Sequence, residues 1–250
     1  MNRQAQACVM ILFGGAVLRA TMTDLYLRYV KEGLRPFLIA ASLVLIAAAV
    51  MTLWYELRPV FAPTEADEAT AEPADRPDTG HAHSHHEPRV AWLLLLPVVG
   101  LLMVVPPALG SYAAGQAGTA LTATEDYEYP PLPAGDPAKT SLFDYAARAM
   151  FDNGQSIGDR RIQLTGFITP GPDKQPILAR IILSCCAADG RPVKLGMTGD
   201  TPTSLANDTW IQVVGRYTDR RGRDPINDEE IPYIQVESWQ VVTAPADPYE

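Results

Sequence analysis

The sequence predicts a membrane-anchored α + β protein, with N-terminal transmembrane helices followed by a small five-stranded OB-like β-barrel domain with one preceding helix. Three observations carry this. Apolar residues concentrate in the first 110 positions. Two stretches there are long and free of charge. Beyond residue 160, five short apolar-alternating segments are separated by Gly, Pro, Asn and Asp turns, the pattern of a small barrel or sandwich.

Bulk properties exclude some classes. The chain has 250 residues and a formal net charge of −9. A nucleic-acid-binding surface is normally basic, so this charge argues against such a partner. Three cysteines are too few for a disulfide framework.

Residues 1–55 hold two hydrophobic helices. The second, "PFLIAASLVLIAAAVMTLWY" (36–55), has no charged residue and the length to cross a hydrocarbon core of about 30 Å. Trp54 and Tyr55 suit an interfacial aromatic belt. The first is shorter: residues 5–18 are apolar, with Arg19, Asp24 and Arg28 following. A span with Arg19 snorkelling to the interface is the favoured reading; an interfacial helix and an uncleaved signal-like segment are the alternatives. Residues 90–110, "VAWLLLLPVVGLLMVVPPALG", form a further span. Its prolines are tolerated in a membrane helix whose neighbours satisfy the freed carbonyls.

Orientation is contested among these roughly three spans. Arg28, Lys31 and Arg35 place the segment before the second span in the cytoplasm. Arg76 and Arg89 place residues 56–89 there instead, and residues 111–138 contain no Lys or Arg. The basic-free stretch abuts the membrane, so the C-terminal domain is expected on the extracytoplasmic side.

Residues 56–89 are rich in Ala, Pro, Glu and Asp and read as a disordered loop. Residues 111–139 read as a linker. The β-domain follows at 140–245. Ser141 and Asp144 form an S-x-x-D capping pattern, and Leu142, Phe143, Ala146, Ala149 and Met150 share one helical face. Asn153 and Gly154 end that helix. The strands are "RIQLTGFI" (161–168), "ILARIIL" (177–183), "PVKLGM" (192–197), "TWIQVVGRY" (209–217) and "YIQVESWQVV" (233–242). Gly166 and Gly215 mark bulges or bends of the kind barrels need. An OB-fold is the first choice and another small β-sandwich the alternative. "DRRGRDPINDEE" (219–230) reads as a solvated hairpin loop.

Two stretches offer chemistry. His81, His83, His85 and His86 are all the histidines of the chain. Imidazole ligates zinc, copper and nickel, and a loop can wrap one ion with several of these groups at modest affinity. The alternative is a solvated histidine-rich segment. "SCCAADGRP" (184–192) holds Cys185, Cys186 and Asp189 at the end of the second strand. In a strand, adjacent side chains point to opposite faces, so one cysteine is expected to face the core. Thiolates bind soft metals or act as nucleophiles. No histidine lies outside residues 81–86, so a Cys-His enzyme is not expected. Asp189 serves equally as turn former or ligand. No phosphate loop or zinc-protease motif occurs.

The order of parts, with "LTGFI", "LARIILSCCAADGRPV" and "DTWIQVVGRY", resembles the YcgQ-like family of bacterial permease subunits. The resemblance covers nearly the whole chain; its most specific piece is residues 185–189 followed by Pro192, with Trp210 and Gly215 downstream. It implies an accessory protein of a two-component permease system, paired with a larger polytopic permease subunit, in divalent metal (zinc) homeostasis. This chain departs from richer members in having only four loop histidines and no loop cysteine. The expectation is a non-enzymatic accessory subunit whose partners are the lipid bilayer and that permease. A membrane-anchored metal- or redox-sensing module using Cys185 and Cys186 is the second reading.

Overall fold

The computed structural model describes residues 3–57, 100, 106–121, 129–171 and 175–250. The chain forms two compact units: Met1–Thr23 with Pro36–Pro106, and Asp24–Arg35 with Pro107–Glu250.

The first unit contains α1 (Arg3–Met22) and α2 (Arg35–Leu57). Of the described helices one, Glu32–Tyr55, is long and apolar enough to cross a membrane; the apolar part of α1, Gln6–Met22, is shorter. Packing between the two helices uses small residues. Ala7, Gly14 and Thr21 are buried at seven-residue steps along α1, and Ser42 and Ala49 repeat that step along α2. A Cβ on Gly14 would lie 3.0 Å from Ile46 and 3.2 Å from the Ser42 carbonyl, so the backbones approach closely there. The buried hydroxyls satisfy themselves locally: Thr21 donates to the Val17 carbonyl and Ser42 to that of Ile39, each at 2.8 Å. Large side chains face outward, among them Leu12, Phe37, Val44 and Trp54, all at least 65% exposed.

The second unit is a closed barrel. Its strands are β2 (Ile162–Pro170), β3 (Pro176–Ile182), β4 (Arg191–Gly199), β5 (Trp210–Arg223) and β6 (Glu230–Val241), after a two-residue β1 (Ala138–Lys139) that pairs in parallel with β2. β2, β3 and β4 run antiparallel in turn; β4 pairs in parallel with β6, β6 antiparallel with β5, and β5 returns to β2. This closure leaves the barrel without a free pair of edges and is the OB-type arrangement expected from the alternation. Ile162, Leu164, Ile168, Leu178, Leu195, Val213 and Ile234 fill the interior.

Helix α4 (Leu142–Phe151) packs its apolar stripe into that core through Leu142, Tyr145, Ala146 and Ala149. The capping pattern forms: the Ser141 hydroxyl accepts from the Asp144 amide at 2.9 Å. Asn153 and Gly154 both take the left-handed conformation just past the helix end. β3 is nearly all apolar because both faces are covered. Its outer residues Ala179 and Ile181 lie in a second cluster with Phe167, Leu183, Tyr249 and Ala114 of α3 (Ser111–Gln116).

Two expectations change. Residues 111–139 are no simple spacer. Ala120 donates to the Pro192 carbonyl, Thr119 to Asp224, and Lys194 Nζ to the Ala117 carbonyl, each at 2.8 Å, so the described part is built into the unit. Half of the charged stretch 219–230 is strand, since β5 runs to Arg223 and β6 starts at Glu230, and residues 224–229 form the expected hairpin loop between them. Charged side chains on one face of a two-stranded ribbon cost nothing when they pair, as Arg221 does with Glu230 at 2.8 Å. The span 90–110 lies largely outside the described residues.

Gly215 sits at a register shift between β5 and β6, and a Cβ there would collide with the Gln235 carbonyl. Gly115 of α3 has open space around it. Gly215→Ala is therefore expected to destabilise the full chain by about 1–3 kcal/mol, whereas Gly115→Ala is neutral or stabilising by roughly 0.5–1 kcal/mol. Thermal melts of the detergent-purified proteins test the contrast.

Candidate metal centre at the β3–β4 connection

β3 ends at Ile182, so Cys185 and Cys186 lie beyond the strand. Neither faces the core, contrary to the strand-based expectation: Cys185 is exposed and Cys186 half-buried. The connection folds instead around Asp189, which closes a short 3₁₀ turn, Ala187–Asp189. Its carboxylate accepts from the amides of Ser184 and Cys185 at 2.8 Å and of Cys186 at 3.2 Å. The Asp189 amide in turn donates to the Cys186 sulfur, completing a reciprocal cap.

The interhelical segment fastens this turn from outside. Val30 and Cys186 form an antiparallel bridge. Lys31 N–H donates to the Cys185 carbonyl at 3.1 Å, and Ala187 N–H to the Tyr29 carbonyl at 2.7 Å. The Lys31 ammonium donates to the Leu183 carbonyl at 3.2 Å. Every peptide unit carrying a cysteine is therefore held by a partner outside its own loop or by Asp189.

The result is one three-donor group: the two cysteine sulfurs and an Asp189 oxygen lie within 4.8 Å of one another. Electrostatics set its resting state. The Cys185 thiol donates to Asp189, and this hydrogen bond to a carboxylate is the chief reason its pKa is raised to about 11; contact with Cys186 adds to it. The same bond, with the three amides, holds the Asp189 carboxyl down at about 2. Above pH 4 Asp189 is charged, and Cys185 stays protonated until strongly alkaline pH. A protonated thiol is a poor nucleophile, so Cys185 is chemically quiet while this bond holds.

His81, His83, His85 and His86 lie outside the described residues. Two buried charged groups that the sequence reading passed over are structural. Lys194 pairs with Asp224 at 2.8 Å in the interior; its ammonium also donates to the Ala117 carbonyl, and Asp224 accepts from the Thr119 and Ile226 amides. Arg180 lies 4.9 Å over the Trp210 ring and donates to the Asp247 and Tyr249 carbonyls, fixing the C-terminal segment across β3. A charged residue in the middle of an apolar strand was the available signal for both. An open cleft in the same unit is lined by Leu109, Phe167, Trp210 and Pro245, with Arg28 and Asp208 at its polar positions. Asp208 is already engaged, accepting from the amide and hydroxyl of Ser111 at 2.6 and 2.7 Å.

Residues 140–250 match the family model described as the DUF1980 C-terminal domain. No curated protein and no solved structure matches the chain.

Replacing Asp189 by Asn removes the negative charge that raises the Cys185 pKa while leaving an oxygen for the amides. Peptide-resolved alkylation by iodoacetamide at pH 8 is expected to speed up at Cys185 in Asp189→Asn relative to wild type. An unchanged or slower rate would show that the carboxylate does not control this thiol.

Proposed function

We propose that this protein is a non-enzymatic accessory subunit of a membrane permease, serving divalent metal homeostasis, with its β-domain contacting a polytopic partner. The observation that carries the membrane part of this reading is the packing of α1 and α2. Small and hydroxyl residues are inside and large apolar residues outside. In water such a pair buries little apolar area and exposes much. In lipid there is no hydrophobic drive between helices, and close approach of small residues is what holds them together. α1 is accordingly read as a span despite its length.

Connectivity supports a third crossing. Asp24–Arg35 belongs to the same compact unit as Pro107–Glu250. A chain that leaves this unit at residue 35 and rejoins it at residue 107 must cross the bilayer an even number of times in between. α2 supplies one crossing, and the apolar run 90–110 supplies the other. Residues 56–89, histidines included, then face the opposite side from the β-domain. The basic-free stretch 111–138 and the arginines at 76 and 89 favour an extracytoplasmic β-domain and a cytoplasmic histidine loop, against the opposite vote of Arg28, Lys31 and Arg35.

Three spans with few charges build no transport path alone, which is why a partner is proposed. The cleft bounded by Leu109, Phe167 and Trp210 offers that partner an apolar surface. Every histidine lies in residues 81–86, so residues 140–250 carry no imidazole of their own. The resemblance to YcgQ-like permease subunits points the same way. The clustering of Cys185, Cys186 and Asp189 favours a second reading, a membrane-anchored metal- or redox-sensing module.

Green fluorescent protein, which matures only in the cytoplasm, reports the arrangement. Fused after Glu250 it is expected to be dark, and inserted near residue 70 it is expected to fluoresce. Fluorescence at both positions would rule out the crossing between them. Affinity purification of the full chain from gently solubilised native membranes is expected to bring down a polytopic membrane protein in fixed stoichiometry. Recovery of the chain alone, with the metal response of the cell unchanged by its deletion, would remove the accessory role.

A further inference from the structure

We propose that Cys185, Cys186 and Asp189 form a three-donor binding site for a zinc-type divalent cation, with the fourth coordination position open. Only the use of that open position for ion hand-off rests on the permease reading; the site itself stands without it.

The donor set fits the ion. Tetrahedral zinc with sulfur at about 2.3 Å and oxygen at about 2.0–2.2 Å spaces its ligand atoms by about 3.5–3.8 Å. The three donor atoms already lie within 4.8 Å of one another, so no pair has to close by more than roughly 1 Å to reach that spacing. Two thiolates and a carboxylate carry three negative charges against two on the ion. Soft sulfur selects a thiophilic cation over magnesium or calcium, which take oxygen ligands.

The backbone is organised for this before any ion arrives. The Asp189 amide already points at the Cys186 sulfur. An N–H donated to a metal-bound sulfur is the kind of outer contact that orients a ligand and tunes its basicity. The Cys185 and Ala187 peptide units are clamped by Lys31 and Tyr29, so the loop spends little conformational entropy on binding. Asp189 has two oxygens; three amides leave it lone-pair capacity, and the bond it now receives from the Cys185 thiol is the one an ion would replace. On binding, each thiol loses its proton to solvent and each sulfur gains a bond to the cation; no electron is transferred.

The site is open on one side, since Cys185 is exposed and Cys186 and Asp189 are only half-buried. A structural zinc is enclosed by four protein ligands, whereas a site with three keeps one position for water or an incoming group. That position suits an exchangeable ion, passed on to a donor atom of another protein.

The test uses the full chain in detergent, fully reduced, because Asp24–Arg35 is part of the unit that holds the loop. Cobalt(II) serves as the spectroscopic stand-in for zinc. One equivalent is expected to give thiolate-to-cobalt charge-transfer absorption in the near ultraviolet, and zinc is expected to bleach it. Cys185→Ser and Cys186→Ser should each roughly halve the band and weaken zinc binding by about 100-fold or more. The double variant should abolish the band, leaving Cys8 silent. A chain carrying His81→Asn, His83→Asn, His85→Asn and His86→Asn should keep it in full. Absence of the band in the reduced wild-type chain overturns the proposal, and that measurement depends on no variant folding. Persistence of the band in the double variant overturns it as well. Loss of partner co-purification with the band intact would instead remove only the permease reading.

Discussion

The β-bridge between Val30 and Cys186, with its two flanking backbone hydrogen bonds, is the contact on which the rest depends. It makes a twelve-residue connector between two apolar helices into an edge of the β-domain. Three consequences follow from that one attachment. The cysteine turn gains a second wall and a fixed backbone. The β-domain takes in Asp24–Arg35, a segment distant from its own N-terminus. Residues 36–106 become an excursion that starts and ends in one compact unit. Tyr249 adds a nearby tie, donating from its hydroxyl to the Arg28 carbonyl at 2.7 Å.

Much of the barrel was legible in the sequence because its two determinants are local. Period-two apolar alternation decides which face of each strand turns inward, and Gly, Pro, Asn and Asp decide where strands end. All five strands therefore sit where "RIQLTGFI" through "YIQVESWQVV" place them, and Gly215 marks the irregularity expected of it. What local pattern does not encode is coverage of an outer face. β3 read as nearly continuous apolar residues, but what lies over it, α3 and the C-terminal segment around Tyr249, is distant in sequence and carries no periodic signal. The length of the β5–β6 ribbon was hidden for a different reason. Its charged residues pair across the ribbon, as in Arg221 with Glu230 at 2.8 Å, and such partners are set by register, not by composition.

The cysteine site was legible as a residue set and not as a geometry. The motif named Cys185, Cys186 and Asp189, but assigning the cysteines to a strand sent them to opposite faces. The carboxylate of Asp189 decides otherwise by gathering three successive amides, and the Cys-x-x-Asp spacing forms a reciprocal cap on the pattern of Ser-x-x-Glu. The clamp from Tyr29 and Lys31 had no signature at all, because backbone hydrogen bonds leave side-chain identity unconstrained. The same holds for Lys194, whose partner Asp224 is 30 positions away and whose burial depends on residues 117–119 lying over it.

The clamp also has a history within each molecule's synthesis. Lys31 and the Leu183 carbonyl it reaches are 152 residues apart. At about 5–20 residues per second the ribosome takes about 8–30 s to cover that distance. For this interval α1 and α2 are finished while the connector between them has nothing to pair with. Its backbone around Val30 then lacks the strand partner it has in the finished fold. Only a chain that has grown past Ala187 can cover it. The attachment is therefore among the last contacts of the fold to form, since one of its two sides is made early and the other late.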